Sequence, residues 1–128
     1  MAKQERTGMD LEQRRAARAW EKVQACSNAY TNLAKSAPAL IMNNGLMQTL
    51  AYYESKAKGR DHHRLLCEHI CSWLEEQGFS TKTGNPLFER VMESLHGSSS
   101  QDYRRATEEA LTILRWIRQF ASALVSKD

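Results

Sequence analysis

Most of what builds sheets, staples or catalytic loops is scarce in this chain. Two prolines and six glycines in 128 residues exclude a collagen-like or low-complexity chain. The cysteines are three, Cys26, Cys67 and Cys71. An odd count sitting in helical patterns beside apolar residues reads as reduced thiols, not a disulfide framework. No apolar run approaches the roughly 20 residues of a membrane span. The first twenty residues hold no apolar run, so no secretory leader is expected and the cytoplasm is the expected compartment. No alternating run is long enough for a strand, and no repeat or second domain is visible. GxxxxGK[ST] and GxGxxG are both missing, so no phosphate cradle is predicted.

What remains is ordinary globular composition, 41% hydrophobic and 26% charged, with a net charge of +3. That charge is mild, and it assists binding only where it clusters. A chain of this length buries roughly two-thirds of its unfolded surface and needs no metal or disulfide to hold it. The helical periodicity predicts an all-α bundle of about five helices over residues 10–128, preceded by a flexible segment over 1–9.

Asp10 with Gln13 predicts a capping box for a first helix running to about Ala37. Its stripe is Ala16, Ala19, Trp20, Val23, Cys26, Tyr30, Leu33 and Ala34. Pro38 is expected to open a second helix reaching about Lys58, with Gly59 as its stop. Its inward face would be Ala39, Met42, Leu46, Leu50, Tyr53 and Ala57, with Asn43 alongside. Asn44-Gly45 could make a hairpin turn. The flanks do not alternate, so the helix is expected to run through Gly45 at a cost of roughly 1 kcal/mol.

A third helix is predicted from Asp61 to Gln77, ending at Gly78 and burying Leu66, Cys67, Ile70, Trp73 and Leu74. After the loop FSTKTGN, Asn85 and Pro86 start a short fourth helix through Leu95, closed by Gly97. Ser98-Ser99-Ser100 links it to the last helix, Tyr103–Val125, for which Ser99 with Asp102 resembles a capping box. That helix would have as its core-facing stripe Tyr103, Ala106, Ala110, Ile113, Leu114, Ile117, Phe120, Ala121, Leu124 and Val125. It turns Arg104, Glu108, Leu111, Arg115, Arg118 and Ser122 the other way.

Few groups suit catalysis. His63, Cys67 and Cys71, each four apart, line one side of a helix with zinc-binding residue types. A second pair of ligands is missing, and Cys67 falls on the apolar stripe, so no metal and no other cofactor is expected. Asp61-His62-His63 spells the label motif of a phosphoesterase family, but the sheet and further aspartates that motif needs are lacking. Asp61 is better used as a helix cap. Glu75-Glu76 and Glu108-Glu109 lie beside arginines and read as solvent-facing ion pairs worth a few tenths of a kcal/mol. No catalytic residue is assigned, and no enzyme is expected.

The basic rows remain. Arg14, Arg18 and Lys22, with Arg15 beside them, form one predicted phosphate-facing row. Lys56 and Lys58 form a second, and Arg104, Arg115 and Arg118 a third. Aromatics do not interleave with them, so contact through phosphates is favoured over base stacking. Ile41, Tyr52 and Leu111 are expected on outer faces, without a core role, as protein contacts.

Four segments carry a family resemblance: Pro38–Leu50 (PALIMNNGLMQTL), Tyr53–Lys58 (YESKAK), His69–Gln77 (HICSWLEEQ) and Tyr103–Ala121 (YRRATEEALTILRWIRQFA). In these the chain resembles the small all-helical subunit, the fifth Cmr protein, of type III-B CRISPR effectors. The resemblance implies a non-catalytic subunit that stacks with copies of itself beside the guide-binding backbone. The large subunit caps one end, and the basic faces meet the target RNA paired with guide RNA. It implies no membrane partner. Three alternatives are a scaffold that binds only protein, a small nuclease or regulator acting through the His/Cys helix, and the equivalent small subunit of the type III-A complex.

Overall fold

A computed structural model describes residues 9–125 of the chain; most of the segment expected to be flexible, residues 1–8, lies outside the described residues. Six helices follow one another, with no strand among the described residues: α1 (Leu11–Lys22), α2 (Asn28–Asn44), α3 (Leu46–Lys56), α4 (His62–Glu76), α5 (Leu87–His96) and α6 (Ser100–Leu124).

Caps mark most of the starts. Asp10 accepts from the Gln13 N–H at 2.8 Å, and Gln13 accepts from the Asp10 N–H at 2.9 Å, closing the expected capping box. Asp61 caps α4 by accepting from Arg64 N–H at 3.1 Å, and Ser99 caps α6 by accepting from Asp102 N–H at 3.0 Å. α5 differs slightly: Pro86 takes the capping position without a side-chain bond. Asn85 instead reaches the Glu93 carboxylate at 3.4 Å.

The first two predicted helices are in fact three. The chain leaves helix after Lys22 and re-enters at Asn28, where Ser27 accepts from the Tyr30 N–H at 3.0 Å. Ala25 takes φ +60° in the connection, a left-handed conformation that an L side chain resists. Pro38 does not open a helix but lies inside α2. Its ring removes the donor that would serve the Ala34 carbonyl, a cost of about 3 kcal/mol. α2 continues because one face, Tyr30, Thr31, Ala34, Ala37 and Ile41, is buried on both sides of the proline.

The real break is Gly45, at φ +92° and ψ 157°, a region essentially reserved for glycine. A side chain there would meet only the Tyr103 hydroxyl at 3.7 Å, an ordinary contact. The glycine is needed for its backbone, then, and not for close packing. The break also shifts the helical phase. Leu46, Leu50 and Tyr53 are buried as expected, but Ala39, Met42 and Asn43 are exposed, and Ile41 points inward. Ile41 is 2% exposed and Met42 75%, so the expectation that Ile41 is a surface contact is corrected. Trp20, expected in the core, is also half exposed.

α4 lies at the centre, packed against α2, α3, α5 and α6, while α1 lies along α6. Trp73, Leu66, Ile70 and Leu74 of α4 are fully buried. Tyr103 of α6 accepts the Met47 N–H at 3.0 Å, satisfying a donor left orphaned where α3 begins. Two backbone substitutions should move stability in opposite directions, read by urea denaturation. Gly45→Ala should cost about 1–3 kcal/mol, and Ala25→Gly should gain about 1 kcal/mol.

Candidate nucleic-acid interface

The arginines divide into two groups. Arg15 is held by Glu109 through Nε and Nη2, each at 2.7 Å, and also reaches Glu12 at 3.2 Å. Arg18 grips Glu76 at 2.9 and 2.6 Å and also pairs with Glu21. Arg90 holds Glu75 at 2.6 and 2.9 Å. Arg64 pairs with Glu54, Arg60 with Glu68 and Arg105 with Asp102. The bidentate forks among them are the strong form of charge-assisted hydrogen bonding. They commit the guanidinium to partners inside the molecule.

Arg14, Arg104 and Arg115 are exposed, as are Lys56 and Lys58. Among the described residues none of these five has an ion-pair partner. Lys22 and Arg118 are half-buried, and the Arg118 Nε is withdrawn from solvent. The predicted row Arg14–Arg18–Lys22 is therefore one open cation, one engaged arginine and one sheltered lysine. On α6, Arg104 and Arg115 share a face about 16 Å apart along the axis, from the rise per residue. Leu111 between them is half-buried and packs against the core, so the expectation of an outer residue without a core role is corrected. Tyr52 is half exposed.

One group is not where expected. Glu109 is not solvent-facing: its side chain is 11% exposed. Besides Arg15 it accepts from the indole N–H of fully buried Trp73 at 2.7 Å. Burial pushes its carboxyl pKa upward. The Arg15 and Trp73 hydrogen bonds with the Arg15 charge outweigh this and hold it below its ordinary value. Its place beside Ala106, Ala110 and Ile113, at the edge of the apolar stripe, is the sequence signal that went unread. Buried Tyr30 and half-buried His69 make a second pair at 2.7 Å. Desolvation, then the Lys22 charge, lowers His69 to about 4, while burial pushes the Tyr30 phenol up.

The side chains of metal-ligating type that gather are not those of the His63, Cys67 and Cys71 line, on which no metal is expected. Asp61, His62 and His63 each bring a ligand atom within 4.8 Å of the others. The Asp61 carboxylate, however, already accepts the Arg64 and Lys58 N–H groups, each at 3.1 Å. Its capping role accounts for its position. Cys67 and Cys71 are sealed in the core and Cys26 is half-buried. The Cys67 thiol donates to the Leu50 carbonyl at 3.7 Å. No helix among the described residues is long and apolar enough to cross a membrane.

Comparison with known proteins follows the same boundaries. The family described as CRISPR-associated protein (Cas_Cmr5) matches residues 11–124, from the first residue of α1 to the last of α6. The chain belongs to the Cmr5 family. A relative from Thermus thermophilus, named CRISPR system Cmr subunit Cmr5, is 26% identical over 117 residues. The match covers 88% of this chain and 93% of that relative. The family expected from the four segments is thus the family found.

Acid should weaken this fold in two stages. The folded His69 value lies below the unfolded 6.5, so between about 6.5 and 4 the unfolded chain binds more protons and stability is lost as the pH is lowered. Glu109 and Glu75, both held below the ordinary 4.5, contribute stability that is present above that value and lost as pH falls through their lower folded values. Chemical denaturation at stepped pH should show both stages, with Glu109→Gln flattening the lower one. At pH 7, Trp73→Phe should cost about 1–3 kcal/mol for the lost donor to a charged acceptor.

Proposed function

We propose that this chain is a non-catalytic small subunit of the type III-B CRISPR (Cmr) RNA-targeting complex. In this reading it stacks with copies of itself, beside the guide-binding backbone subunits and the large subunit, in the cytoplasm. It contacts the backbone of target RNA paired with guide RNA. The observation that carries the proposal is the family match across all six helices.

The distribution of charge supports the backbone contact. Arg14, Arg104, Arg115, Lys56 and Lys58 keep their cations in solvent, available to phosphates, which position a protein without reading sequence. Arg15 and Arg18, also proposed from sequence, are the weaker candidates because their forks are occupied. The carboxylates and thiols that chemistry would use are mostly paired with arginines or buried, which supports a non-catalytic role.

Apolar surface supports the stacking. Trp20 lies edge-on to Phe120, with ring centroids 5.2 Å apart, and Phe120 is 5.5 Å from Trp116. This aromatic edge joins α1 to α6, and Met42 and Leu124 are also exposed. Exposed apolar side chains on the α1–α6 edge and, separately, on α2 suit a head-to-tail contact, which propagates until something caps it.

About three phosphate contacts per copy correspond to a salt slope near −2 for a single strand. Linked copies would raise that weak affinity. In the assembled complex, replacing Arg14, Arg104 and Arg115 with alanine should reduce the slope for target RNA by about 0.7 per lost contact. Arg15→Ala should lower stability and leave the slope nearly unchanged. An unaltered slope in the triple variant would remove these three arginines from the RNA contact, and an unaltered slope after Lys56 and Lys58 are also replaced would leave only a protein-binding scaffold.

A further inference from the structure

A groove of about 390 Å³ opens over the α2–α3 junction, lined by Leu40, Asn44, Gln48, Thr49 and Tyr52. That size lies within the usual range of small-ligand sites, about 300–1,000 Å³. It exists because Gly45 breaks the helix between Asn44 and Leu46. Asn44, Gln48 and Tyr52 are exposed, and among the described residues neither amide has a hydrogen-bond partner. Thr49 is already engaged, its hydroxyl donating to the Gly45 carbonyl at 2.9 Å. The Lys56 ammonium lies 5.7 Å from the Tyr52 ring centroid.

This is an unusual combination for bare helical surface. An aromatic side chain and two uncommitted carboxamides meet at one concavity that no carboxylate lines, and a lysine outside the lining lies over the same aromatic ring. Carboxamides present a donor and an acceptor side by side, the pattern that matches a base edge. An exposed tyrosine supplies a stacking plane that any base fits. A lysine at the ring gives the adjoining phosphate a counter-charge.

We infer that this groove receives one unpaired nucleobase of an RNA strand, stacked on Tyr52 and held at its edge by Asn44 and Gln48, with Lys56 on the flanking phosphate. The inference rests on the RNA contact proposed above and adds base stacking, a binding mode not expected from sequence. It also moves Tyr52 from the protein contacts to the RNA contacts. Bases paired in the guide–target duplex cannot enter, so the occupant is a base left out of pairing.

The test uses the full chain, repeated in the assembled complex, with a short single-stranded RNA carrying 2-aminopurine. Binding should quench the probe. Tyr52→Leu should abolish the quenching and weaken binding about 5- to 100-fold at an unchanged salt slope. Tyr52→Phe should retain the quenching. Lys56→Gln should reduce the slope by about 0.7, and the Asn44→Ala, Gln48→Ala pair should weaken binding without altering the slope.

Salt-dependent RNA binding that Tyr52→Leu leaves quenched and equally tight would overturn the groove and leave the backbone reading standing. Absence of salt-dependent RNA binding by the wild type, alone and assembled, would overturn both. Tyr52→Leu that releases the chain from its complex while RNA affinity is unchanged would give the groove to a protein partner, and the inference would fall.

Discussion

A carboxylate inside a helical bundle must be satisfied or neutralised, and Glu109 is satisfied three times over. Two guanidinium N–H groups from α1 and an indole N–H from α4 converge on this one side chain of α6. Burying a charge is costly unless its partners are fixed in place. The three helices must therefore be in position together. Ala19 is the one fully buried residue of α1, so polar partners carry much of its hold: Arg15 on Glu109 of α6 and Arg18 on Glu76 of α4. These pairs help fix the seat of that short helix along α6, where Trp20 meets Phe120.

The same pairing governs the rest of the charge. Six arginines are paired with carboxylates of this chain, which holds helices and loops together but hides cations from outside partners. Among the described residues, the guanidinium and ammonium groups left over are spread over α1, α2, α3, α6 and the loops that follow α3 and α4. A surface of that kind recognises an extended anion by spacing rather than by a deep pocket.

Helix content, the α1, α4 and α6 caps and the α4–α6 cores were readable because each depends on neighbours a few residues away. Where the expectation failed, a long-range term prevailed over a local one. Pro38 has the local features of a helix start, yet the buried face from Tyr30 to Ile41 carries α2 through it. Gly45 was weighed as a helical residue, and its positive φ turned one predicted phase into two, exchanging Ile41 and Met42 between core and surface. The site was less legible than the fold. Spacing located the arginines, but it does not show that Glu76 and Glu109, distant in sequence, occupy Arg18 and Arg15. The groove beside Tyr52 depends on the bend at Gly45 and has no signature in a straight-helix reading.

The unequal shelter of the three thiols has a practical side. Cys67 and Cys71 lie sealed within α4, whereas Cys26 sits half-open in the connection between α1 and α2. A maleimide dye or nitroxide would attach there first, next to the left-handed Ala25. The native polypeptide thus carries its own single attachment point for a spectroscopic ruler, placed at the joint where α1 leaves the remainder of the bundle.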